Sequence, residues 1–251
     1  MAKHIALGVV LYFAMINTVF SQTTKTKSTE DNATQKALAY FEQIQTQPFD
    51  NFLSSIRPAP LGADLRQKVL SMLPKGDLVA PGSDYVAKLK SLEDVLKYNQ
   101  RDSVIEIKVL RAHSATAVFL AGAAVLITEP ALRLLSAEEL QAVVAHELGH
   151  EYYWNRFELA RQNKDFAKIQ ELELRCDGIA VIALHRLGVD PKNLITAITK
   201  LNKYNDHPES LHYVGLNERI AFIHSVIQLV SNQDLRTVLV KETREVQRLR
   251  S

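Results

Sequence analysis

The sequence predicts a mainly helical α+β domain with a small sheet or hairpin beside one long helix, and three observations carry that reading. Apolar residues recur three and four apart over most of the chain, the period of helices with one buried face. Between residues 103 and 128 the texture changes to alternation and short β-prone runs. The longest helical stretch opens on Ser136-Ala137-Glu138-Glu139, a capping box in which the serine accepts from the Glu139 amide and that side chain reaches back.

The elements follow in order. Residues 1–21 have a short basic start, an apolar run from Ile5 to Phe20, and Val19 and Ser21 at a small-residue cleavage pattern, which predicts a signal peptide and an exported, periplasmic or extracellular chain. The alternative is an uncleaved helix tethering the protein; no later stretch is long and apolar enough to span a bilayer. Residues 22–33 read as a flexible lead-in, and 34–251 as a single domain, with N-terminal helices over 34–100 and a core over 101–251. Helices are expected from Thr34 to Gln45, from Ala63 to Leu73 and from Asp84 to Tyr98, with breaks at Pro48 and through RPAPLG. Residues 103–110 alternate as a half-buried strand, and AVFL and VLIT around AGAA suggest a hairpin. The capped helix then runs to about Trp154. The next spans Asp165 to Leu187 and stops at Gly188, and Asp190-Pro191 starts another. Two more are expected, over 216–230 and 233–249.

Composition narrows the function classes. With 47% apolar and 23% charged residues the chain is neither disordered nor a polytopic membrane protein. A net charge of +2 offers no field for nucleic acid. The single cysteine, Cys176, rules out an internal disulfide framework.

Inside the capped helix stands HELGH, residues 146–150. On a helix His146 and His150 project from one face, the arrangement of two zinc ligands, with Glu147 beside them as general base. A catalytic zinc takes three protein ligands and a water, so a third must come from elsewhere. The stretch ELELRCD offers Glu171, Glu173, Cys176 and Asp177. Glu173 and Asp177, one helical turn apart, suit a metal-binding carboxylate and a second carboxylate that accepts from a ligand histidine. Cys176 reads as a small core residue.

Capping box, HELGH helix and a following Glu-x-x-x-Asp helix together resemble the CAAX-prenyl-protease and HtpX-type zinc peptidases, a gluzincin family, over roughly Val104 to Ile223. The resemblance implies a zincin-like metallopeptidase domain with one Zn2+ per chain: His146, His150 and Glu173 as ligands, Glu147 as the catalytic glutamate, and Asp177 supporting the ligands. It implies a substrate-pairing edge strand at Thr116-Ala117-Val118, where family members tend to carry Asn-Ala-Phe. A family His-Pro ahead of an arginine is matched by His207 or His212 before Arg219. With Tyr213, these are the candidates to steady a developing oxyanion.

The function expected is that of a zinc-dependent endopeptidase acting on proteins or peptides, in quality control of the cell envelope. The alternative is a zinc-binding scaffold without turnover, or a latent protease.

Overall fold

The computed structural model describes residues 27–45, 47–73, 76–206 and 214–250, with side chains described between residues 32 and 234. The expected signal segment 1–21 and His207, His212 and Tyr213 lie outside them. Nine helices and four strands are described: α1 (Lys27–Ile44), α2 (Phe49–Ile56), α3 (Ala63–Ser71), β1 (Leu78–Val79), α4 (Ser83–Tyr98), β2 (Glu106–Leu110), β3 (Ala117–Leu120), β4 (Ala124–Thr128), α5 (Glu129–Leu134), α6 (Ala137–Gln162), α7 (Phe166–Arg186), α8 (Lys192–Asn205) and α9 (Leu216–Arg250). The mainly helical α+β class is what the sequence predicts.

The sheet runs β1-β2-β4-β3. β3 and β4 form the expected hairpin, Ala117 opposite Ile127 and Leu120 opposite Ala124. Its turn places Ala121 at φ 44° and Gly122 at φ 74°, with the Ala123 N–H donating to Leu120 O at 2.8 Å. Two left-handed residues match the twist of the flanking strands, and glycine supplies one without strain. β2 joins the far side of β4 in parallel, Glu106 beside Ala124. β4 is buried along its whole length, as a central strand covered on both faces must be. β3 is therefore an edge strand, and α6 lies beside it.

Two helices cross at the centre. A Cβ on Gly149 of α6 would lie 2.9 Å from both Cα and Cβ of Cys176 in α7, so this approach needs a glycine facing a small residue. Cys176 is fully buried, as a core residue. The crossing falls within both motifs, so HELGH and ELELRCD face each other.

The N-terminal helix is built into the same core. Ala33, Ala37 and Phe41 form a buried stripe on α1, and a Cβ on Gly178 of α7 would collide with the Phe41 ring. Phe41 also meets Phe222 of α9 edge to face, at 6.1 Å between centroids. Truncating such a ring to alanine costs about 3–5 kcal/mol.

Three expectations need correction. α1 begins at Lys27, inside the stretch read as a flexible lead-in, because its buried stripe starts at Ala33 and uses alanines that a search for large apolar residues passes over. The two final helices are one, α9. Ser231 closes back onto Ile227 O at 3.0 Å, and Gln233 reaches the Gln45 and Gln47 carbonyls at 3.1 and 2.7 Å, so the polar residues read as a break are used without leaving the helix. α2 and α5 were hidden by Pro48 and Pro130, which stand at helix starts, where a missing N–H costs nothing.

Candidate active site

α6 brings the motif to the sheet edge. Ser136 caps it as predicted, accepting from the Glu139 N–H at 3.2 Å while the Ser136 N–H donates to Glu139 Oε2 at 2.8 Å. Two turns on, His146, Glu147 and His150 are each about 7% exposed, and one ligand atom from each lies within 4.8 Å of the others. Glu173, from α7, sets Oε2 3.4 Å from His146 Nε2 and 3.9 Å from His150 Nε2.

The two carboxylates near the imidazoles are distinguishable. Glu173 is the closer to both ring nitrogens. Glu147 Oε2 accepts from the Phe119 N–H of β3 at 2.8 Å, which ties it to the strand beside the site. Glu171 points elsewhere: it receives Lys168 Nζ at 2.8 Å and Arg175 at 2.5 Å.

Asp177, with no exposed surface, lies 2.8 Å from His146 Nδ1. Arg219 of α9 donates to Asp177 Oδ2 through Nε and to Oδ1 through Nη2, both at 2.6 Å, and Nη2 lies 3.3 Å from His146 Nδ1. A guanidinium only donates and a carboxylate only accepts, so the shorter contact assigns Nδ1: it carries hydrogen toward Asp177, and Nε2 is the nitrogen that faces Glu173 and His150. Arg219, expected among the oxyanion donors, thus spends one edge of its guanidinium on Asp177, because the buried carboxylate is its nearest counter-charge.

The electrostatics follow from burial and these pairs. Burial would lower the pKa of His146, but the charge and hydrogen bond of Asp177 outweigh it and raise the group to about 9. Burial pulls His150 down to about 4 and pushes Glu147 up to about 7. Burial also opposes ionisation of Glu173, yet His150 and His146 hold it at about 2. Asp177 stands at about 2 because Arg219 and then His146 overcome its burial.

These residues fit a zinc ion. Ligand atoms about 2.0–2.2 Å from a tetrahedral centre stand roughly 3.3–3.6 Å apart. The 3.4 Å separation of His146 Nε2 and Glu173 Oε2 falls in that range, and the 3.9 Å to His150 is a few tenths longer. Two imidazoles and the Glu173 carboxylate, which is held ionised, form a donor set for a borderline divalent cation.

Residues 86–156, from α4 into the motif helix, match the profile of peptidase family M48. Over that segment the chain is similar to the M48 peptidases. The M48 peptidases are zinc metallopeptidases, and the matched segment contains the buried His146–Glu147–His150 group, which could hold a metal ion. A search of curated proteins gives no match. The profile match ends before Glu173, Asp177 and Arg219, so the geometry alone joins those three to the M48 motif.

The expected substrate strand is partly redrawn. The Thr116 N–H donates to Thr128 Oγ1 at 2.9 Å, and Thr116 O accepts from the Thr128 N–H at 3.0 Å, so the Thr116 backbone faces β4. By the alternation of an antiparallel ladder Val118 does too, leaving Ala117 and Phe119 toward the free edge. Phe119 was not foreseen, since a backbone amide leaves no mark in sequence.

Proposed function

We propose that this chain is an M48-type zinc-dependent endopeptidase that hydrolyses peptide bonds with Glu147 as general base. The observation that carries the reading is the convergence of His146 Nε2, His150 Nε2 and Glu173 Oε2 beside Glu147 and the free edge of β3. His146, His150 and Glu173 would hold one zinc ion, which when bound polarises the scissile carbonyl and acidifies a water.

The protein's own groups do the rest. Asp177, fixed by Arg219, orients His146. The Phe119 N–H holds one oxygen of Glu147 against β3, and burial keeps that carboxyl near neutrality, where a base both takes and returns a proton effectively. Glu147 removes a proton from the attacking water and delivers it to the leaving amine. Ala117 offers backbone groups on the free edge to an extended peptide, which adds as a further strand. His207, His212 and Tyr213, in the connection between α8 and α9, remain candidates for steadying the oxyanion.

No helix among the described residues is long and apolar enough to cross a membrane. With the signal pattern of residues 1–21, this supports an exported enzyme acting on envelope proteins or peptides. Elemental analysis joined to casein and peptide hydrolysis, with and without a chelator, tests the reading. About one zinc per chain and chelator-sensitive cleavage are expected; zinc-loaded protein that cleaves no unfolded substrate would favour the scaffold or latent alternative.

A further inference from the structure

Asn205, the last residue of α8, grips the backbone of Ala115 just ahead of β3. Its Nδ2 donates to Ala115 O, and its Oδ1 accepts from the Ala115 N–H, each at 2.8 Å. One side-chain amide thus imitates the paired bonds that a neighbouring strand residue makes with an edge.

The parity of β3 shows what this occupies. Thr116 turns both backbone groups to Thr128 of β4, so Ala115, Ala117 and Phe119 present theirs to the free edge. Asn205 takes both groups of Ala115, and Glu147 takes the Phe119 N–H. Among the described residues, this leaves the Ala117 N–H and C=O and the Phe119 C=O. Among the described residues the Ala117 carbonyl meets only the Thr116 hydroxyl, at 3.2 Å, a contact a backbone donor can replace.

We propose that Asn205 is a register stop: it closes the substrate-binding edge at Ala115 and confines an extended peptide to Ala117 and the Phe119 carbonyl. The inference rests on the peptidase reading and adds a specificity rule to it. With only one residue able to receive a full pair of bonds, the peptide cannot slide by two toward α8, and the bond presented beside Glu147 is fixed. The substrate residue donating to Ala117 O needs a free N–H and cannot be proline. The residue two further along, opposite Ala115, finds no acceptor, and proline is tolerated there. Asn205 acts through Ala115 and is a positioning residue.

The test is an N-methyl scan of one cleavable peptide with the zinc-loaded full chain. Each lost hydrogen bond lowers kcat/KM by up to about tenfold. In the wild type, methylation is expected to slow cleavage at the two alternate positions that donate to Ala117 O and Phe119 O, and to leave the next one, opposite Ala115, unaffected. In Asn205→Ala that third position becomes sensitive, and mass spectrometry shows a second cleavage displaced by two residues, with zinc content unchanged. A wild-type profile with three alternate sensitive positions, or with none, overturns the stop, as does an Asn205→Ala variant that keeps the wild-type profile and cleavage bond. Should Asn205→Ala fail to fold, the wild-type scan decides alone. A wild type that cleaves no peptide sinks the peptidase reading and the stop together, whereas cleavage with the wrong profile sinks only the stop.

Discussion

Asp177 Oδ1 stands 2.8 Å from His146 Nδ1 while both Asp177 oxygens receive Arg219 at 2.6 Å, so one buried carboxylate links α7, the motif helix and α9. That link fixes which imidazole nitrogen is left to bind a metal. Asp177→Asn keeps the shape but removes the charge and leaves Arg219 without its partner. Zinc affinity, measured by chelator competition, should fall about 10–100-fold, the usual cost of losing such support. An unchanged affinity would show that His146 needs no orientation from behind.

The same pair sets a pH signature on the metal-free chain. Asp177 is depressed from 3.8 to about 2 in the folded state, so its stabilisation is complete above about 4 and is lost as pH falls through 2. His146 is raised from 6.5 to about 9, so its stabilisation is complete below about 6.5 and is lost as pH rises through 9. Denaturant unfolding of the metal-free chain across this range should show both limbs, and Asp177→Asn should flatten both. Identical pH profiles for the variant and the wild type would contradict the pairing.

Glu173 and Glu171 make a controlled comparison two residues apart. Glu173→Ala should lose far more zinc affinity than Glu171→Ala, because Glu171 is spent on Lys168 and Arg175. Equal losses, or the reverse order, would remove Glu173 from the metal set.

Gly149→Ala tests the crossing that faces the two motifs. The new Cβ meets Cys176 backbone and Cβ at 2.9 Å, and neither can swing away. A destabilisation of about 1–3 kcal/mol is expected, with weaker zinc binding as Glu173 is pushed from the histidines. A thermal midpoint and zinc affinity like those of the wild type would mean that the helices part freely.

Much of this was legible in the sequence, for identifiable reasons. The capping box and HELGH are local patterns whose geometry is set by helix pitch, and the Glu173-to-Asp177 spacing needs one turn of helix and no tertiary knowledge. The β3–β4 hairpin was legible because Ala-Gly-Ala sits between β-prone runs. What escaped depended on distant contacts. A lone Arg219 carries no motif that ties it to Asp177. The Phe119 amide is backbone, and the parallel placement of β2 beside β4 follows from how the sheet closes over its core. The polar residues of α9 resemble a break until Gln233 is seen bound to carbonyls at the end of α1.

The central claim, that Glu147 is the base of a zinc peptidase, is tested most directly by Glu147→Gln. Glutamine keeps the size and an oxygen for the Phe119 N–H, so folding and zinc content should match the wild type. Peptide hydrolysis by the zinc-loaded chain should fall at least about a hundredfold, the low end of what a positioned general base contributes. A zinc-loaded Glu147→Gln variant that cleaves as fast as the wild type would contradict the account.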